Sequence, residues 1–248
     1  MKLTDITKSV RLCIDEEAVN DANFTNASDG DCTRMDAIII DKIGDALRWV
    51  CLYAPASLLT GSDEKVNDEP VDTGIVKDTE PTARIIDPSR LMAAGIVNLP
   101  ADFVKLVRVR VNGWHRAIRV PLEEDAEEYL HLYDEHGASA TAERPVAALI
   151  EKASKQLELW PCGSVKPKVG EEDVYELTNA SVELTYIASV EASELMQGSG
   201  DSKFLPLPPK STTSFIYYLA FLLLSAYGDE RAARMLEIAK MNLGVTQQ

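Results

Sequence analysis

Apolar residues recur at helical spacing at both ends of this chain and at strand spacing between them. Near the start, Ile6, Val10, Cys13 and Ile14 share one face, which predicts a helix over Thr4–Val19 with Thr4 or Asp5 as its cap. A loop rich in Asn, Asp, Ser and Gly follows over Asn20–Thr33. Ile39, Ile43, Leu47 and Val50, at three- and four-residue steps, predict a second helix over Asp36–Tyr53, ended by Pro55. At the far end, "LPLPP" (Leu205 to Pro209) forbids regular structure. Two helices are expected after it, Thr213–Tyr227 and Asp229–Leu243, split at Gly228.

The middle of the chain changes period. Residues 61 to 82 are acidic and poor in apolar side chains, and read as a connector that is either mobile or laid along another chain. From Ala83 onward, "ARIID" and "RLMAAGIVNL" are candidate strands. "VKLVRVRV" alternates, with a slip at Leu106-Val107 that predicts a bulge. Asn112-Gly113 is a strong hairpin signal, and Trp114–Val120 is its expected return strand. A short acidic helix is expected over residues 123 to 136, capped by Gly137. A second hairpin pairs Val146–Glu151 with Gln156–Trp160. "VYELTNASVELTYIASV" then places Val182, Leu184 and Tyr186 on one strand face.

This order predicts an α+β fold, in which N- and C-terminal helices form one bundle around an inserted antiparallel β-sheet or sandwich. The expected division is a helical domain from residues 1–60 and 205–248, the acidic connector 61–82, and a β-rich domain 83–200 that carries the 123–136 helix.

Charge narrows the function. The chain has 248 residues and a formal net charge of -15, so its average surface repels nucleic acid and anionic membranes. The most apolar run, Phe215 to Tyr227, falls short of the roughly 20 residues of a bilayer-spanning helix and reads as a buried helix. No membrane is therefore expected among its partners. The opening residues lack the apolar core of a signal peptide, which points to synthesis in a reducing cytoplasm.

Candidate chemistry is sparse. Cys13, Cys32, Cys51 and Cys162 contain no metal-binding pair, and Cys13 and Cys51 read as buried free thiols. His131 and His136 are five residues apart, not the four of a helical metal pair, and His115 reads as a hairpin side chain. No nucleotide-binding, zinc-protease or serine-hydrolase pattern occurs. No catalytic, cofactor or metal residue is selected, and an enzyme is not expected. The one local positive patch is Lys105, Arg108, Arg110, Arg116 and Arg119 around Trp114. Its expected role is salt bridging to carboxylates of its own chain or a neighbouring subunit, with a solvated face or phosphate contact as alternatives. Trp114 could anchor an interface or lie over the sheet.

Three segments stand in order: "LPADFVKLVRVRVNGW", "RPVAALIEKASKQLELWP" and "LPLPPKSTTSFIYYLAFLLLSAYGDERAARML". The series resembles the head-to-tail connector (adaptor, neck ring) proteins of tailed bacteriophages, similar to tail tubular protein A-type adaptors and crAss-like phage ring proteins. The resemblance spans residues 35 to 240 in segments. It implies a structural virion protein whose copies form a ring, typically twelvefold, below the portal. Its implied partners are further copies of itself, the portal protein and the next tail or neck protein, with genome DNA passing through the channel without specific binding. No cofactor is implied, and the implied location is the virion neck after synthesis in the host cytoplasm. Phe215, Tyr217, Tyr218, Phe221, Leu243 and Gln248 are the candidate subunit or portal interface, and the C-terminal end is expected to reach the portal. The alternatives are another phage neck component, such as a head- or tail-completion protein, a hydrolase with a carboxylate pair, or a nucleic-acid-binding module.

Overall fold

The structure, a computed structural model, describes residues 1–14, 29–59, 65–66, 69–70, 73–86, 94–133, 140–150, 155–162, 165–167, 175–177, 180–196, 198 and 203–244. The fold is mixed α/β, with seven α-helices among the described residues and a mostly antiparallel sheet. The chain divides into two compact units, Met1–Val76 with Ala188–Gln248, and Lys77–Ile187. The second unit thus begins before the expected 83 and ends before 200.

In the first unit, α1 (Leu3–Cys13) buries Ile6, Thr7 and Val10, one face at four-residue spacing. Neither expected cap is used. The helix starts at Leu3 because Met1 and Leu205 exchange backbone hydrogen bonds of 2.8 Å and Leu3 N–H donates to the Lys203 carbonyl at 3.1 Å. These bonds satisfy groups that a capping side chain would otherwise serve. α2 (Asp29–Tyr53) begins seven residues before the predicted start, inside the expected polar loop. Ile39, Ile43, Leu47 and Val50 are all buried on it. Pro55 breaks the chain into the single turn α3 (Ala56–Leu59).

The acidic segment 61–82 is not a structureless connector throughout. β1 (Lys65–Val66) and β2 (Glu69–Pro70) form a small antiparallel ribbon. Beyond it Thr73 and Ile75 are buried and β3 (Val76–Thr79) enters the main sheet. Of the expected strands, β4 is Thr82–Ile86, β5 Ala94–Asn98 and β6 Phe103–Val111. The predicted return strand 114–120 is absent. Only a single bridge, Val109 with Ile118, pairs there. Trp114 turns inward instead, 2% exposed, and donates its indole N–H to the Pro161 carbonyl at 2.7 Å.

The expected helix 123–136 is also corrected. Leu122–Glu123 is β7, pairing in parallel with β8 (Val146–Ile150). Helix is confined to α4 (Glu127–Leu130) and a 3-10 turn over His131–Tyr133, and residues 134–136 lie outside the described set. β8 pairs antiparallel with β9 (Gln156–Trp160), as the expected second hairpin has it, with Val146 opposite Trp160 and Ile150 opposite Gln156. β10 (Val165–Pro167) and β11 (Tyr175–Leu177) form a second ribbon, and β12 (Ala180–Ala188) completes an eight-stranded sheet of order β3-β12-β4-β5-β9-β8-β7, with β6 also on β12.

After the single turn α5 (Ala192–Leu195), "LPLPP" runs extended with Leu205 and Leu207 buried. α6 (Pro209–Ala226) starts four residues before the predicted Thr213, because Pro209 falls at its first position, where a missing N–H costs nothing. Its buried residues, from Ser211 to Leu224, face α1, α2, α3 and α7 (Arg231–Leu243). Gly228, at φ +68°, supplies the left-handed residue between the last two helices.

Candidate functional site

Two surfaces carry the predicted site residues, one in each unit. The first is aromatic. Four rings touch in sequence along α2 and α6: Tyr53 to Trp49 at 5.4 Å, Trp49 stacked on Tyr218 at 4.1 Å, and Tyr218 to Phe221 at 5.3 Å. Burial, then the neighbouring Tyr53 and Asp45, push the Tyr218 hydroxyl above its ordinary pKa. Tyr217, Tyr218 and Phe221 remain half-buried, while Tyr53 and Leu52 are about half exposed at 51% and 49%. Phe215 is 0% and Leu243 3% exposed, so these two belong to the core and not to an interface. α6 is apolar most of the way round, and periodicity alone could not tell its inner from its outer face. Gln248 lies outside the described residues.

The second surface is cationic. Along β6 exposure alternates from Arg108 to Val111: the two arginines face out while Val109 and Val111 are buried. Arg108 Nε donates to Thr185 Oγ1 at 2.9 Å, and that hydroxyl donates in turn to Asp78. Arg110 Nε donates to the Trp114 carbonyl at 3.3 Å. Arg116 and Arg119 are exposed. Among the described residues, none of these four arginines forms an ion pair with a carboxylate. Lys105 is half-buried on the same strand. Among the described residues, the expected intrachain ion pairs are thus not formed by these four arginines. Trp114, being buried, leaves the candidate surface.

The polar contacts of the second unit are elsewhere. Asp102, from "LPADF", accepts from Lys77 Nζ at 2.6 Å and from the Tyr186 hydroxyl at 3.1 Å. Burial alone would raise the Asp102 carboxyl, but these two bonds outweigh it and hold its pKa below the ordinary value. The same contact, after burial, pushes the Tyr186 hydroxyl up to about 12. Glu158, from "LELWP", is 1% exposed and was not singled out by the sequence. Its carboxylate accepts from the Tyr129 hydroxyl at 2.8 Å and from the Trp160 indole at 2.7 Å. Leu157 and Leu159 fill the opposite face of the strand, so β9 is buried on both sides.

The remaining chemistry-bearing residues do not converge. His115 lies 3.8 Å from Glu143 and His131 3.6 Å from Glu127, both pairs on the surface. Cys51 and Cys162 are buried and Cys13 is half-buried. Burial raises the Cys162 thiol to about 11, which keeps it protonated and unreactive. Among the described residues no three His, Cys, Asp or Glu side chains gather as a metal site, and no helix is long and apolar enough to cross a membrane. Compared with known proteins, the chain matches no protein-family model and no curated sequence.

Proposed function

We propose that this chain is a structural virion protein, a head-to-tail adaptor whose copies form a ring below the portal, join the capsid vertex to the tail and surround the path of the genome. In this reading the terminal helices make one bundle, the strand unit is inserted into it, and no bond is made or broken by the protein. The observation that carries it is the path of the chain. It leaves the helix-containing unit at Val76 and returns at Ala188, and the three resembling segments fall at working positions along that path. "LPADF" supplies the Asp102 contact, "LELWP" the Glu158 and Trp160 pair, and "LPLPP" the start of α6. The net charge of -15 suits a conduit that DNA passes without adhering.

The half-buried rings Tyr217, Tyr218 and Phe221 supply the subunit or portal contact. Leu243 is held in the core, so the expectation that the C-terminal end reaches the portal rests on residues 245–248, which lie outside the described residues. The test is the position of the chain in the particle. A ring stacked on the portal in electron micrographs of purified virions is the expected result, and portal binding should weaken when residues 245–248 are deleted. Placement away from the portal vertex overturns the adaptor reading. Placement one layer further along the neck assigns the protein to the completion proteins instead.

A further inference from the structure

The arginine strip of the second unit has a feature that general surface charge does not explain. Val109 and Ile118 exchange both backbone hydrogen bonds at 2.8 Å. Arg108 precedes and Arg119 follows the two bridged residues, so two like charges adjoin that one bridge. No acidic residue occurs from Val104 to Val120, so the strip has no local counter-charge in sequence. Its hydrogen bonds go to the Thr185 hydroxyl, which relays to Asp78, and to the Trp114 carbonyl, and neither is a direct bond to a carboxylate. The guanidinium groups of Arg108, Arg110, Arg116 and Arg119 thus stay exposed and unmatched by carboxylates among the described residues, in a chain with 40 acidic and 25 basic side chains.

We propose that this strip is the cationic half of a contact between two copies of this chain, seated against an acidic surface of the neighbouring copy. The inference rests on the ring reading above and names the contact that reading needs. Charge complementarity selects the partner. Two copies at net -15 each repel at long range, so they associate only where a local cationic surface meets the acid of the other. Arginine suits that task, since its planar fork meets a carboxylate through two parallel hydrogen bonds. Each copy then gives one strip and receives another, which is a head-to-tail contact. A nucleic acid would have to approach the same arginines across a surface that repels phosphate.

The test is sedimentation velocity of the full chain at about 50 mM and about 500 mM salt, a range over which charge screening rises steeply. The wild type is compared with R116E/R119E and with R116Q/R119Q. Both positions are exposed, and the unfolding midpoint of each variant checks that it folds. The wild type should self-associate at low salt, and its affinity should fall about tenfold or more at high salt. Charge reversal should cost at least about tenfold at low salt, and the neutral pair less. Association unchanged by reversal removes this docking while leaving the ring reading intact. A wild type that stays monomeric at all concentrations also removes it, and the ring is then judged by its place in the particle alone. Salt-sensitive retention of duplex DNA that the variants lose would assign the strip to phosphate and overturn the proposal.

Discussion

Arg231, at the turn between α6 and α7, and Arg119, beside β6, show two opposite fates for the same side chain. Arg231 donates from its backbone N–H and its guanidinium to Asp229, and from Nη1 to the Ile14 carbonyl at the end of α1, 3.0 Å away. Asp229 is two residues off, so a helix start brings the pair together by local geometry alone. Arg119 has no acidic neighbour from Val104 to Val120, and it follows the single bridge that Ile118 makes to β6. The first arrangement ties the chain to itself. The second leaves a charge that forms no ion pair among the described residues.

The contrast can be sharpened by substitution, beginning with the core that lies under the aromatic surface. Phe215→Ala, at a fully buried position of α6, should cost about 3–5 kcal/mol in a denaturant unfolding curve, while Phe221→Ala, half-buried, should cost much less. Equal costs would mean that the inner and outer faces of α6 are not distinct. Next in size is Arg231→Ala, expected to lower the thermal midpoint by about 2–4 °C at neutral pH through the lost hydrogen bonds. That difference has a pH signature. The guanidinium of Arg231, and after it the Arg231 backbone N–H, lower the Asp229 carboxyl from 3.8 to about 2 in the folded chain, and the substitution removes the first of these. A depressed folded value stabilises fully above the unfolded one and is lost as pH falls through the folded one. The gap between wild type and variant should therefore be full above about pH 4 and shrink toward pH 2. The smallest effect belongs to Arg119→Ser, which should leave the midpoint within about 1 °C, since Arg119 is exposed and forms no ion pair among the described residues. A large loss at Arg119 would show that the strip serves its own fold, and the comparison with Arg231 would collapse.

Much of the secondary structure was legible because the period carried it. α2, α6, α7, β8 and β9 fall where their apolar spacing put them, and the earlier start of α6 follows from Pro209 at its first position. The strand expected at 114–120 failed because Asn112-Gly113 signals a turn but leaves the path of the chain beyond Gly113 open. The buried Trp114 indole gained a carbonyl partner at Pro161, 47 residues away, and the chain beyond Gly113 follows that contact. The helix expected at 123–136 failed for a similar reason. Its acidic composition favoured a helix start, yet Leu122 and Glu123 found a parallel edge on β8, and the Tyr129 hydroxyl reached Glu158 across 29 residues. Glu158 itself gave no signal, since a carboxylate between two leucines on an alternating strand reads as solvent-facing until the far side of the sheet is covered.

The sequence by itself determined the long helices α2, α6 and α7 and the strands β6, β8 and β9, the cationic character of β6 and the acid surplus around it. These are local or additive properties, set by neighbours within a few residues or by simple counting. The tertiary structure alone decided that Phe215 and Leu243 are core, that Trp114 points inward, that Glu158 is buried with two donors, and that four arginines stay without a carboxylate among the described residues. Each of these depends on which distant residue arrives opposite, and a pattern of one dimension holds no record of that meeting.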